Sequence, residues 1–218
     1  DDRTSRGLGD VYKRQIAAYL TGAFPTSFLL GKLFYNIDVR KFGSGNAGAT
    51  NTFRVLGKIP GIIVLLLDIL KGYVVVNYIY FIDPKILLEI VNTDLFFEYQ
   101  LLFGTAAVIG HIFPVYINFK GGKGIATILG VLLSLNLTAA LYSCVVFLVI
   151  LFLSKYVSLS SILACFFYSV FIFFIYESNI HTEKIFSIFV PFISLITHRK
   201  NILRLINKEE TKVKFGAK

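Results

Sequence analysis

Long apolar runs alternate with short polar ones along nearly the whole chain. Apolar stretches cover residues 16–35, 59–82, 96–116, 125–153, 159–176 and 184–197. Most reach the roughly 17–25 residues an α-helix needs to cross the hydrocarbon core of a bilayer. The stretch 125–153 is too long for one untilted span and short for two. Asn136 lies near its middle, in SLNLT. A break there gives two short helices; one long tilted helix is the alternative. With the break, the pattern predicts an all-α polytopic membrane protein with seven transmembrane helices. A soluble α/β fold would have to hide several near-continuous apolar runs.

The first 14 residues, DDRTSRGLGDVYKR, show no periodic apolar pattern. They read as an expression scar or a disordered arm outside the fold. Residues 15–206 then form a single integral membrane domain, and residues 207–218 a basic tail. The first apolar segment runs directly into a glycine-rich motif without an evident cleavage site, which argues against a cleaved signal peptide.

Charge orients the spans. Seven crossings put segments 36–58, 117–123, 155–158 and everything after Thr197 on one face. Segments 83–95 and 177–183 fall on the other, where Asp83, Glu89 and Asp94 outweigh Lys85. The basic face is expected to be cytoplasmic, with the N-terminus out and the C-terminus cytoplasmic. Six crossings would separate the basic tail from the glycine-rich motif.

The chain has 22 Lys and Arg against 13 Asp and Glu, a net charge of +9. These cations sit in loops beside apolar segments, not on a polar helix or soluble module, which argues against nucleic acid as a partner. Anionic membrane lipids and a phosphorylated substrate fit better. Cys144 and Cys165 lie inside apolar runs and read as small core residues. No metal, cofactor or obligate protein partner is expected.

Three polar motifs carry the chemistry. In KFGSGNAGATNTFRVLGK, Gly43, Gly45 and Gly48 let backbone N–H groups approach an anion. Ser44, Asn46, Thr50 and Asn51 can add side-chain donors, and Arg54 a planar fork for phosphate. If ATNTFRVLG is helical, Asn51 and Arg54 share a side. A flexible interfacial loop is the plainer alternative. No strand precedes it, so it is neither a Walker nor a dinucleotide sequence.

In GHIFPVYINFKGGKGIAT, the chain turns through Gly121, Gly122 and Gly124 into another helix. Lys123 then lies at a helix N-terminus, where orphan N–H groups favour an anion. His111 is either a base for a hydroxyl proton or a satisfied polar group in the bundle. In HRKNILRL, His198, Asn201 and Arg204 share a helical face, as on a membrane-surface helix. One of Ser158, Ser160 and Ser161 is expected to cap a helix. Asp68 and Lys71, three apart inside a span, are expected to pair.

GSGNAGATNTFRVLG, GHIFPVYINFKGGKG, KYVSLSS and HRKNILRL occur together in an order and spacing that resemble the bacterial PlsY family of acyl-phosphate:glycerol-3-phosphate acyltransferases. The resemblance runs from about residue 17 to 210. It implies transfer of an acyl group from acyl phosphate to the 1-hydroxyl of glycerol 3-phosphate, giving lysophosphatidic acid and phosphate. It also implies a multi-pass inner-membrane protein with its active site facing the cytoplasm. By this resemblance the catalytic residues are Ser44, Arg54, Lys123, His111 and Asn201. Substrate or phosphate binding falls to Gly43, Gly45, Asn46, Thr50, Asn51, Gly121, Gly122, Gly124, Ser161 and His198. The H-x-x-x-x-D motif of other glycerol-phosphate acyltransferases is absent. The runner-up reading is a polytopic transporter of a phosphorylated solute, which would carry broken helices in repeated halves; no clear repeat is seen.

Overall fold

The computed structural model describes residues 2–176 and 178–213, with side chains from residue 9 onward. The chain forms two compact units that divide between Leu135 and Asn136.

The first unit contains α1 (Asp2–Ala23), α2 (Thr26–Tyr35), α3 (Ala49–Leu56), α4 (Lys58–Val76), α5 (Pro84–Ile90), α6 (Asp94–Ile112) and α7 (Ile125–Leu135). Glycines let its helices approach closely, as is common where lipid supplies no hydrophobic drive. A Cβ on Gly22 would lie 2.1 Å from the Ala107 carbonyl, and one on Gly110 2.2 Å from that of Tyr19, so α1 lies against α6. Gly72 against Thr127 and Gly130 against Ile69 bring α4 equally close to α7. Val75, Ile79, Phe103 and Ala107 form the core between these helices. The outer face of α4 leaves Ile59, Leu66 and Leu70 exposed, as lipid-facing side chains are.

The second unit contains α8 (Leu137–Ser154), α9 (Val157–Val170), a wider π turn (Phe171–Ile175), α10 (His181–Thr197) and α11 (Arg199–Ile206). Asn136 caps α8 by accepting from Ala139 N at 3.0 Å. Its amide donates to Glu183 Oε1 at 2.9 Å, and Ser178 donates to Glu183 Oε2 at 2.5 Å. Glu183, read from the sequence as a loop residue, is thus buried in the first turn of α10.

The seven-span expectation is corrected. Among the described residues four helices are long and apolar enough to cross a membrane: Lys58–Phe81, Asp94–Ile117, Leu137–Ser154 and Val157–Ile175. The stretch 16–35 is not one span, because the chain breaks at Phe24–Pro25, where proline supplies no N–H. Its second half, α2, has 10 residues and is about 15 Å long at 1.5 Å per residue. The break at Asn136 falls where the sequence placed it, but α7 has only 11 residues. Helix α10 has 17, with Pro191 inside and Glu183 in its first turn. The arrangement with the N-terminus out and the C-terminus cytoplasmic rested on seven crossings and falls with them.

Both ends of the domain reading also change. Residues 2–14 are not an arm but part of α1, with Val11 buried in the core. The tail from residue 207 folds back as far as it is described, through Val213 N donating to Lys155 O at 2.8 Å. Residues 214–218 lie outside the described residues.

Candidate active site

Two turns of the first unit carry the glycine-rich motifs, and buried side chains set their shapes. In the first, Gly43 (φ 60°) and Gly45 (φ 74°) adopt left-handed backbone that other residues rarely take. A Cβ on Gly43 would also lie 2.3 Å from Asn51 Oδ1. Asn51 is fully buried and pins the loop. Its Oδ1 accepts from Ser44 N at 2.8 Å and Ser44 Oγ at 3.1 Å. Its amide donates to Val39 O at 2.8 Å and Phe42 O at 3.2 Å. The sequence suggested Asn51 as a donor to phosphate; the structure places its amide inside the loop. Helix α3 forms as expected, with Arg54 exposed one turn beyond the buried Asn51. Ser44 is exposed, and Asn46 and Thr50 are half-buried.

The second turn leaves α6 and enters α7. Gly121 N donates to Ile112 O at 3.2 Å and Gly122 N to His111 O at 3.1 Å. The turn therefore doubles back over the end of α6. A Cβ on Gly122 would lie 2.2 Å from His111 Nε2 and 3.1 Å from Ala47 O, so at Gly122 the two motifs meet. Gly124 (φ 82°) precedes α7, and Ile128 N bonds back to its carbonyl at 2.7 Å. Lys123 is half-buried just ahead of that helix start, as the sequence placed it.

Beneath the second turn lies a buried polar network. Lys71 Nζ and Asp68 Oδ1 pair at 2.9 Å, as their spacing implied. Thr26 donates to the same oxygen at 3.0 Å, and Lys71 also donates to Phe24 O at 3.2 Å. His111 Nδ1 lies 3.1 Å from Thr127 Oγ1 and 3.7 Å from Asp68 Oδ1. The imidazole is thus held by side chains of α4 and α7 under Gly122. Every full charge has a partner, which a low-dielectric site requires.

Asp38 and Arg40, which the sequence analysis passed over, flank this site. Asp38 caps the 3-10 turn Val39–Lys41, and Arg40 pairs with it at 2.9 Å. The hydrogen bond from Arg40 holds the Asp38 carboxyl below its usual range.

In the second unit the remaining motifs gather on one carboxylate. Glu210 Oε1 accepts from Ser158 Oγ at 3.1 Å and Asn201 Nδ2 at 2.8 Å. Glu210 Oε2 accepts from Arg204 Nε at 2.8 Å. Burial pushes the Glu210 carboxyl up, but the Arg204, Asn201 and Ser158 bonds together hold it below its usual value. Lys208, at φ 59°, turns the chain back toward α9. No serine caps α9, contrary to expectation. Ser160 and Ser161 bond back to the carbonyls of Tyr156 and Val157, while Ser158 is taken by Glu210. His198 is buried at the start of α11 and its Nδ1 donates to Ser194 O at 2.9 Å. Asn201 and Arg204 do share a helix face. Their partner Glu210 was missed, and the available signal was the acidic pair Glu209–Glu210 inside an otherwise basic tail.

Residues 14–208 match the glycerol-3-phosphate acyltransferase family. A glycerol-3-phosphate acyltransferase of Staphylococcus saprophyticus is 44% identical over 200 residues, covering 92% of this chain and 96% of that protein. Two crystal structures of PlsY (YgiH), an integral membrane glycerol 3-phosphate acyltransferase, superpose on the fold. The glycerol 3-phosphate form has a TM-score of 0.82 at 34% identity, covering 94% of this chain and 96% of that one. The lysophosphatidic acid form has a TM-score of 0.78 at 32% identity, covering 94% and 95%. With the motifs, the turns and the fold in agreement, the chain belongs to the PlsY family of membrane glycerol-3-phosphate acyltransferases.

Proposed function

We propose that this protein transfers an acyl group from acyl phosphate to the 1-hydroxyl of glycerol 3-phosphate, producing lysophosphatidic acid and inorganic phosphate. The observation that carries this reading is the junction at Gly122, where the Ala47 carbonyl of one glycine motif meets the turn of the other. Both substrates bear a phosphate group, and the reaction needs two anion cradles side by side. The protein is a multi-pass inner-membrane protein. Its active site faces the cytoplasm in this reading. The segments that bear both motifs also carry Lys41, Arg54, Lys58, Lys120 and Lys123, and such an excess supports a cytoplasmic placement.

Gly43, Gly45 and Ser44 cradle one phosphate group with Arg54; Gly121, Gly122, Gly124 and Lys123 receive the other at the start of α7. Asn46 and Thr50 line the first cradle, and Asn51 shapes it. The glycerol hydroxyl attacks the acyl carbonyl carbon. A new C–O bond forms, the bond from that carbon to the phosphate oxygen breaks, and phosphate leaves with the electron pair. Acyl phosphate is already an activated anhydride, so positioning and charge stabilisation suffice. A phosphate oxygen takes the hydroxyl proton. His111 is held from below by Thr127 and roofed by Gly122, an arrangement suited to supporting the turn. Ser161 and His198 keep the substrate-binding roles, and Asn201 the catalytic role, that the motif match implies. The acyl chain enters from the lipid between helices, since leaving an apolar phase would cost about 0.8 kcal/mol per CH₂.

The test is product formation by purified protein supplied with acyl phosphate and labelled glycerol 3-phosphate. Labelled lysophosphatidic acid is expected from the parent, and almost none from Arg54→Ala or Lys123→Ala. Solute flux into vesicles without product would favour a transporter. His111→Ala separates the proton routes: a few tenths of parental activity fits the phosphate as acceptor, whereas complete loss with the fold intact makes His111 the base.

A further inference from the structure

The Asp38–Arg40 pair stands outside the glycine-rich motifs, yet it ties them together. Asp38 Oδ1 accepts from Arg40 N and from Arg40 Nε, each at 3.0 Å, and Asp38 Oδ2 accepts from Arg40 Nη2 at 2.9 Å. This is the fork-on-fork geometry that a guanidinium makes and an ammonium cannot. The remaining nitrogen, Nη1, donates to Ile117 O at 3.1 Å, 77 residues along the chain. The guanidinium carbon also lies 4.7 Å from the centre of the Phe28 ring on α2. All three guanidinium nitrogens therefore have protein partners, so Arg40 is built as a strut and not as an anion ligand.

Each end of the strut lies next to a cradle. On one side, Val39 O accepts from Asn51, the residue that pins Ser44, and Arg40 O lies 3.4 Å from where a Gly45 Cβ would stand. On the other, Ile117 precedes Asn118 (φ 56°) and Phe119 (φ 59°), two non-glycine residues in left-handed backbone that lead into Lys120 and the glycine turn. Between these ends the two loops leave a gap. A cavity of about 330 Å³ opens there, lined by Asp38, Arg40, Gly45, Ile117, Asn118 and Lys120. The Arg40 strut spans this gap.

We propose that Asp38 and Arg40 form a positioning clasp for the transfer reaction, setting the distance between the two phosphate cradles. The proposal rests on the acyl-transfer reading above. Misplacing a reacting group by about 1 Å can lower a rate about 100-fold, so the clasp acts on turnover more than on folding.

The test compares Arg40→Ala, Arg40→Lys, Asp38→Ala and the Asp38→Ala/Arg40→Ala double variant of the full-length protein. Steady-state product formation and the thermal unfolding midpoint are measured for each. Arg40→Ala and Asp38→Ala should each lower kcat about 30- to 100-fold, and Arg40→Lys about 10-fold, because lysine keeps the charge but not the fork. The KM for glycerol 3-phosphate should move less than about threefold, as expected when binding survives and alignment does not. The double variant should be no worse than the poorer single, since the pair acts as one unit. Parental kcat in the Arg40 variants would overturn the clasp. So would parental activity in Asp38→Ala beside an inactive Arg40→Ala, which would mean that Arg40 touches substrate. Losses that multiply in the double variant, or that a lowered midpoint fully explains, would also overturn it. If Arg40→Ala fails to fold, Arg40→Lys carries the same comparison. A parent enzyme that makes no product would instead remove the functional reading itself.

Discussion

The two units hold their motif residues by different means. In the first, backbone approaches backbone where glycines leave no Cβ, and a buried ion pair lies beneath. Gly122 roofs His111, Gly43 sits on Asn51, and Asp68 meets Lys71 at 2.9 Å. In the second, one carboxylate collects three side-chain donors from α9 and α11, and the only charged donor, Arg204, has a 36% exposed side chain. Steric clashes and a fully buried ion pair fail abruptly, whereas a buried carboxylate shared among three donors, with its charged donor Arg204 open to solvent, loosens by degrees. The first unit should therefore tolerate almost nothing at its key positions, and the second should respond gradually.

The comparison is broken most severely at Asp68. Asp68→Ala leaves Lys71 buried without its counter-ion, at about 3–5 kcal/mol of destabilisation, read as a large fall in the thermal unfolding midpoint. Replacing Asp68 and Lys71 together with apolar residues of similar size should recover much of that loss. A single substitution as harmless as the double would show that the pair carries little weight.

Next come the glycines. Gly122→Ala must push aside either His111 or the Ala47 backbone, and Gly43→Ala must also hold a positive φ. Each should lower kcat/KM about 100-fold, near 2.7 kcal/mol of transition-state stabilisation. Product formation corrected for folded protein measures this. Parental turnover in Gly122→Ala would show that the two motifs need not meet so closely.

The smallest effect belongs to the second unit. Glu210→Gln keeps an acceptor for Ser158 and Asn201 but loses the charged bond to Arg204, worth about 1 kcal/mol after allowance for Arg204's exposure. Activity should fall only a few-fold. The pH dependence has a definite sign. The folded Glu210 carboxyl lies below its ordinary value of 4.5, so its contribution is fully present above that value. It is lost as pH falls through the depressed folded value. Proteolysis of the segment after Ile206 should therefore stay constant from neutral pH to about pH 5 and rise only in stronger acid. A transition near pH 6 would assign the tail's attachment to another group.

Much of this was legible in residue order, for identifiable reasons. Glycines clustered at apolar boundaries mark the two turns, and the helix break at Asn136 follows from a polar side chain that caps α8. Helix lengths were less legible. Apolar composition does not reveal that the chain stops at Pro25, or that α7 has 11 residues. Nor does it show that polar residues 2–14 extend α1, because that depends on Val11 finding a core. Asn51 looked like a ligand since an amide's role depends on what surrounds it. The roles of Arg40 and Glu210 escaped notice because each also bonds far along the chain, to Ile117 and Ser158, 77 and 52 residues away.

The central claim is direct transfer between two adjacent phosphate cradles, without an acyl-enzyme. Rapid mixing of purified protein with acyl phosphate alone tests it most directly, counting the phosphate released in the first turnover. Direct transfer predicts no burst until glycerol 3-phosphate is added, and then phosphate and lysophosphatidic acid appearing together in equal amounts. A burst of one phosphate per enzyme before glycerol 3-phosphate is present, with the acyl group retained on the protein, would contradict it.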